Sequence, residues 1–220
     1  MIGLPLNMLL VPRARHPLQH KPESLKRWES REEMVLLAYV FAASWFVTGA
    51  MAAHLPAMLE RMGATATQAV AASALVGPAQ VGARLAEFLI MRGAHPLVSA
   101  RIAASTHPAG AAILAAVGSP AAALFALLHG AGNGLLTIAR GTVPLALFGP
   151  ENYGARTGLL GAPARAAEAA APLLFGLLLD VMGRYVLWIS AGLCLSALAA
   201  LLAVRARPSE TTAFQSTHTN

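Results

Sequence analysis

Six long apolar spans run between Met34 and Val204, and that pattern restricts the chain to a membrane. The first has no charged residue from Met34 to His54, and the last has none from Tyr185 to Val204. Each is about long enough to cross a ~30 Å hydrocarbon core at ~1.5 Å per residue. Backbone N–H and C=O groups in lipid need partners within the segment, so spans of this length must be helical. A β-barrel would alternate apolar and polar positions over about ten residues, and these spans do not alternate. Only 12% of the 220 residues are charged, against about 25% in soluble domains. The expected fold is an all-α membrane protein.

The spans read as Met34–His54, Gln68–Met91, Pro96–Val117, Ala121–Leu147, Thr157–Met182 and Tyr185–Val204. Residues 34–204 thus form a six-span unit. Before it stand an apolar stretch at 1–11 and a basic connector at 12–33 with Pro12, Pro17 and Pro22; after it comes a polar tail at 205–220. The stretch at 1–11 is too short to span. It reads either as an interfacial segment or as the end of a helix. It is not a signal peptide, because its positive charges, Arg13 and Arg15, follow the apolar core instead of preceding it.

The basic residues fix an expected orientation. Ten of the 16 Lys and Arg fall on one side: Arg13, Arg15, Lys21, Lys26, Arg27, Arg31, Arg92, Arg156, Arg205 and Arg207. Only Arg61 and Arg184 fall on the other. By the positive-inside rule both termini lie in the cytoplasm, as an even span count also requires, in a plasma or inner membrane. A pI near 10.4 does not point to nucleic acid, since the charges flank spans. Tyr185 and Trp188 fit an aromatic belt. Cys194 is the single cysteine, so no disulfide forms within the chain. No cofactor or metal is expected.

Ionisable groups inside spans carry the functional information, because each costs about 2.5–3.5 kcal/mol at mid-bilayer and so should face the bundle interior. In the second span Gln80, Arg84 and Glu87 share a helical face, and Arg84 and Glu87 can pair. In the fourth, His129, Asn133, Thr137 and Arg140 form a polar stripe. In the fifth, Arg165 and Glu168 stand three apart, and in the third Arg101 and Ser105 share a face. These are the candidate substrate or coupling residues: Gln80, Arg84, Glu87, Arg101, His129, Asn133, Thr137, Arg140, Arg165 and Glu168. Structural ion pairs and interhelical hydrogen bonds are equal alternatives. Four arginines against two acids leave an excess that an anionic solute would complement. A proton relay through Glu87, Glu168 or His129 is equally open. His54 is expected at the outer interface; His107 is ambiguous, and a backbone carbonyl freed near Pro108 is one partner open to it. Gly130 and Gly134 form a small-xxx-small pair suited to close helix packing. Gly77-Pro78 interrupts the second span.

The stretch GLLLDVMGR, Gly176 to Arg184, is similar to a signature of the major facilitator superfamily, matching it at Gly176, Leu178, Asp180, Gly183 and Arg184. GPAQVGAR (Gly77–Arg84) resembles the family's eighth helix. HGAGNG (His129–Gly134), ARGTVPLALFG (Ala139–Gly149) and AAAPLLFG (Ala169–Gly176) resemble its tenth and eleventh. The resemblance implies six transmembrane helices as two inverted three-helix repeats, equivalent to the seventh to twelfth helices of a twelve-helix transporter. Residues 1–11 would then be the remnant of a preceding helix, and 12–33 the cytoplasmic loop between halves. The expected function is transport of a small solute. The expected partners are the bilayer, that solute, and an N-terminal half, whether missing from a truncated copy or supplied by a second chain. A non-transporting assembly subunit is the main alternative. An intramembrane enzyme drawing on His129 and Glu32-Glu33 lacks convergent ligands.

Overall fold

The computed structural model describes residues 31–91 and 93–204. The expected segment at 1–11, the connector as far as residue 30, Arg92 and the tail at 205–220 lie outside the described residues. The chain divides into two units, Met1–Arg31 and Glu32–Asn220, and the helices belong to the second apart from Arg31, which opens the first of them. Every regular element among the described residues is helical. In chain order these are α1 (Arg31–Arg61), α2 (Ala66–Ser73), α3 (Val76–Ile90), α4 (Pro96–Val117), α5 (Ala122–Phe148), α6 (Tyr153–Met182) and α7 (Val186–Ala203). Short 3-10 turns, Ser119–Ala121 and Gly183–Tyr185, lead into α5 and α7.

Four stretches are long and apolar enough to cross a membrane: Arg31–Arg61, Ala66–Ile90, Ser119–Phe148 and Tyr153–Ala203. The last holds two helices, α6 and α7, on either side of the Gly183–Tyr185 turn. The chain therefore has the long apolar helices of a membrane protein. Helix α4 is not among the four; Ser99, Arg101, Ser105, Thr106 and His107 dilute its hydropathy. Its bounds nonetheless match the expected Pro96–Val117.

Local chemistry sets the helix ends. Pro96 starts α4 at a position where a missing N–H costs nothing, and the His95 ring accepts from the Leu97 N–H at 3.2 Å. Gly118 and Gly149 stop α4 and α5 with φ of 80° and 72°, conformations that glycine adopts without a Cβ penalty. Thr65 and Gln68 make a reciprocal capping box that opens α2. The second apolar stretch is broken. Pro78 cannot donate to the carbonyl four residues back and its ring crowds that carbonyl, which belongs to Ala74. Helix α2 accordingly ends at Ser73, and α3 restarts at Val76 with Pro78 in its first turn. The interruption expected at Gly77-Pro78 thus falls one turn earlier, at Ala74 and Leu75.

Glycines on α5 bring two neighbours close. A Cβ on Gly130 would stand 2.6 Å from the Val76 carbonyl oxygen of α3. One on Gly132 would stand 2.8 Å from the Ala103 carbonyl oxygen of α4. The Gly130/Gly134 pair packs against α3, and Gly132 between them packs against α4. Helix α1 is tied to three others by side-chain contacts: Thr48 to Asn133 of α5 at 2.6 Å, His54 to the Pro172 carbonyl of α6 at 2.8 Å, and Tyr39 to Ser196 of α7 at 2.5 Å.

Two apolar clusters fill the interior. One gathers Met51, Leu55, Met58, Leu114, Phe125, Phe175 and Leu187. The other gathers Leu37, Phe41, Leu97, Leu135, Val143, Leu160 and Leu201. Along α1, α4, α5 and α7 one cluster gives way to the other near the middle of the chain's long helices. Of the buried polar side chains, Ser44, His107 and His129 lie at that changeover, while Ser190 lies among the first cluster and Ser99 among the second.

Candidate functional site

The polar layer opens into two adjoining spaces. A cleft of about 220 Å³ lies between α1, the α2–α3 break and α5. Its polar wall is Thr48, Ser73, Gln80, His129 and Asn133, and Met51, Leu55 and Val76 supply apolar surface. A chamber of about 30 Å³ adjoins it, with Ser44, Thr48, Thr106, His107, His129 and Asn133 in its lining. Thr48, His129 and Asn133 line both and so form the partition. The chamber has room and partners for a single water or so. The cleft is smaller than the ~300–1,000 Å³ pockets that hold drug-sized ligands.

The broken helix builds one wall. Ser73 closes α2 and Val76 opens α3, so the gap between them faces the cleft. The Ser73 hydroxyl donates to the Ala69 carbonyl at 2.7 Å. On the facing wall the Thr48 hydroxyl donates to Asn133 Oδ1 at 2.6 Å, which orients the amide so that its NH₂ is available as a donor. The Thr137 hydroxyl donates to the Asn133 carbonyl at 2.8 Å. Beyond it, an Arg84 Nη donates to Thr137 Oγ1 at 3.3 Å.

Behind the partition lies a buried chain of side chains from three helices. His129 Nδ1 and His107 Nδ1 are 3.0 Å apart, and His107 Nε2 is 3.0 Å from Ser190 Oγ. The Ser190 hydroxyl donates to the Leu187 carbonyl at 2.8 Å. Phe125 packs edge-on to His107 and stacks on His129, with centroids at 5.3 and 6.2 Å.

The candidate residues divide into those at the cleft and those elsewhere. Gln80, His129 and Asn133 line it, and Thr137 and Arg84 continue from it. The direct Arg84–Glu87 pair does not form. The two ion pairs among the described residues are Arg61–Asp180 at 3.8 Å and Arg165–Glu168 at 2.6 Å. Arg84 instead reaches across to α5, which leaves its Nε and Glu87 Oε2 buried without hydrogen-bond partners among the described residues. Arg101 donates from Nε and Nη to the Leu201 carbonyl at 3.2 and 3.1 Å and to the Val204 carbonyl at 3.1 Å. It caps the last turn of α7, where a cation is favoured. Ser105 turns back to the Ile102 carbonyl. Arg140 lies over Trp45, 5.1 Å from the ring centroid, and against Gly161. Arg165 and Glu168 pair on α6 with side chains 60% and 33% exposed. None of the four arginines lines the cleft, so its wall carries no formal charge.

His107 does not bond a carbonyl freed by Pro108. It points across to His129 and Ser190, because α4 and α5 approach closely at Gly132. His54 is half-buried, bonded to the Pro172 carbonyl and stacked near Phe175. Sequence reasoning missed Ser44, Thr48, Ser73, Thr106 and Ser190. The signal available for them was the same for all: a hydroxyl inside an otherwise apolar span. Among the described residues no group of three or more His, Cys, Asp or Glu converges to hold a metal.

Comparison with protein-family models finds none that matches this chain, and comparison with curated protein sequences finds no significant match.

Proposed function

We propose that the chain is a transmembrane transporter of a small solute, of the major facilitator type. The observation that carries this reading is the cleft at the α2–α3 break, lined midway along the helices by Thr48, Gln80, His129 and Asn133. Irregular backbone within membrane helices is tolerated where it lines a cavity, and transporter sites are built in this manner. The family-like motifs fall on the same elements: GPAQVGAR on α3 and HGAGNG on α5. In this reading α1, α2–α3 and α4 form one three-helix repeat and α5, α6 and α7 its inverted counterpart. Both termini are cytoplasmic, supported by the bias of ten basic residues against two.

Exposure on α6 supports a second bundle packed alongside. Arg165 stands near the middle of a 30-residue apolar helix with its side chain 60% exposed. A charge at that depth belongs against protein or water rather than lipid. A six-helix half from the same or another chain would supply that cover and one wall of the cleft.

The test is uptake by proteoliposomes holding the chain, with a panel of labelled small carboxylates, amino acids and sugars. Asn133→Leu provides the control that inserts but lacks the amide. Saturable uptake of one panel member, lost in the control, is the expected result. A second reading, a non-transporting assembly subunit, draws on Arg101 and Arg140, which both serve helix packing. It predicts no saturable uptake and a loss of protein level alone when either arginine is replaced.

A further inference from the structure

The Ser190 hydroxyl lies 2.8 Å from the Leu187 carbonyl, which can only accept. With its hydrogen placed there, Ser190 Oγ faces His107 Nε2 as an acceptor. His107 therefore carries its hydrogen on Nε2 and presents a bare Nδ1. The hydrogen in the 3.0 Å contact between the two rings must then come from His129 Nδ1. That leaves His129 Nε2 as the unprotonated nitrogen of the chain. His129 lines both the cleft and the chamber, and no hydrogen bond occupies its Nε2 among the described residues.

We infer that His129 Nε2 is a proton-accepting site in the cleft wall, and that the His129–His107 pair stores the proton it takes. The inference rests on the transport reading for its biological use, but not for its chemistry. The step balances simply. The Nε2 lone pair takes a proton from hydronium or a protonated solute in the cleft, and the pair gains one positive charge. The Nδ1 hydrogen can then pass to His107 Nδ1, moving the charge one ring inward while His107 keeps its bond to Ser190. It goes no further, because the Ser190 hydroxyl is committed to the Leu187 carbonyl. The arrangement is a store with one mouth, not a wire across the membrane.

The surroundings leave this charge without a rival. The titratable side chains lining the two spaces are His107, His129 and Cys194. Helix α1 contributes Ser44 and Thr48 there, and α2 contributes Ser73. On α3 the nearest charged group to face α5 is Arg84, which bonds Thr137, eight residues and so ~12 Å along α5 from His129. On α6, Arg165 and Glu168 answer each other. A cleft wall that is formally neutral would thus become cationic only when His129 is protonated. A carboxylate or similar small anion would then be held with its proton and released when the proton leaves.

The experiment is nitrogen NMR of the full chain, labelled with ¹⁵N-histidine, in lipid nanodiscs from about pH 8 to about pH 3, a range wide enough for buried imidazoles. His107→Gln and His129→Gln assign the resonances. At the upper end His129 should show a protonated Nδ1 and a bare Nε2, and His107 the reverse, with a through-bond coupling between the two Nδ1 atoms. Lowering the pH should abolish the bare Nε2 resonance of His129. The inference is overturned if His129 carries its hydrogen on Nε2 at the upper end, or if the pair keeps both bare nitrogens across the range. Because the wild-type spectra decide, poor folding of a variant does not rescue the idea. Proteoliposome uptake is run in parallel. Absence of uptake alongside the expected spectra would overturn transport by this chain on its own and leave the proton site standing.

Discussion

A β-carbon on Gly134 would stand 2.5 Å from the carbonyl oxygen of Gln80. Real β-carbons do not come so close, so α3 would have to move. Gly134→Ala should destabilise the protein by about 1–3 kcal/mol, the usual cost of overpacking. A methyl group on Gly158 of α6 would meet nothing within 4 Å, and Gly158→Ala should stay within about 0.5 kcal/mol of wild type. Thermal unfolding in detergent compares the two. Equal behaviour of both variants would remove the close α3–α5 approach.

Asn133 and Thr48 hold the cleft wall by one hydrogen bond. Thr48→Val keeps the shape and removes that bond, so the amide loses its orientation. The expected cost is about 0.5–1.5 kcal/mol in solute binding, or roughly a twofold to twelvefold rise in KM by the tenfold-per-1.4 kcal/mol rule. The amount of protein in the membrane should not change. A KM equal to wild type would separate this pair from the solute site.

Arg101 has no role at the cleft and a clear one at the end of α7. Arg101→Ala removes charge-assisted hydrogen bonds to the Leu201 and Val204 carbonyls, worth about 1.5–3 kcal/mol for a charged donor. Hydrogen exchange in the last turn of α7 should rise and the melting temperature fall. Uptake per inserted molecule should hold. Arg101→Lys should rescue only in part, since an ammonium cannot present the fork that reaches two carbonyls.

Helix α6 should have a wet or protein-covered side and a lipid side. In a Cys194→Ala background, Arg165→Cys should react with a hydrophilic methanethiosulfonate. Leu177→Cys, at a leucine 57% exposed, should resist it. Reaction at both positions, or at Leu177→Cys alone, would defeat the idea that Arg165 faces away from lipid.

The Arg61–Asp180 pair joins the ends of α1 and α6 at 3.8 Å, with side chains 50% and 78% exposed. Such pairs contribute about 0–1 kcal/mol. Asp180→Asn should therefore leave the unfolding midpoint nearly unchanged, despite the family-like motif in which Asp180 lies. A large loss of uptake with unchanged stability would instead give that aspartate a mechanical role.

The helices were legible in the sequence because apolar runs of this length have one backbone solution in lipid. The packing role of Gly130 and Gly134 was legible from their spacing. The break near Pro78 was legible too, but a turn late, because a proline disturbs the carbonyl four residues before it. What could not be read was contact across helices. The spacing of Arg84 and Glu87 permits a pair without imposing one, and Thr137 on another helix takes the guanidinium instead. Pro108 suggests a partner for His107 within its own helix, whereas its partners are 22 and 83 residues away. Ser190 gave no sign beyond being a hydroxyl in an apolar span.

Gly130, Gly132 and Gly134 of α5 also bear on how the protein moves. With α3 seated on Gly130 and Gly134 through the Val76 and Gln80 backbone, and α4 seated on Gly132 through Thr106 and the Ala103 carbonyl, little room is left between these helices. Helices α3, α4 and α5 must then shift as one plate. Breathing of the cleft then falls to α1 and α2, whose Thr48 and Ser73 line it. Spin labels on α1 and α5 should report a broad or solute-dependent distance, and labels on α4 and α5 a narrow, fixed one.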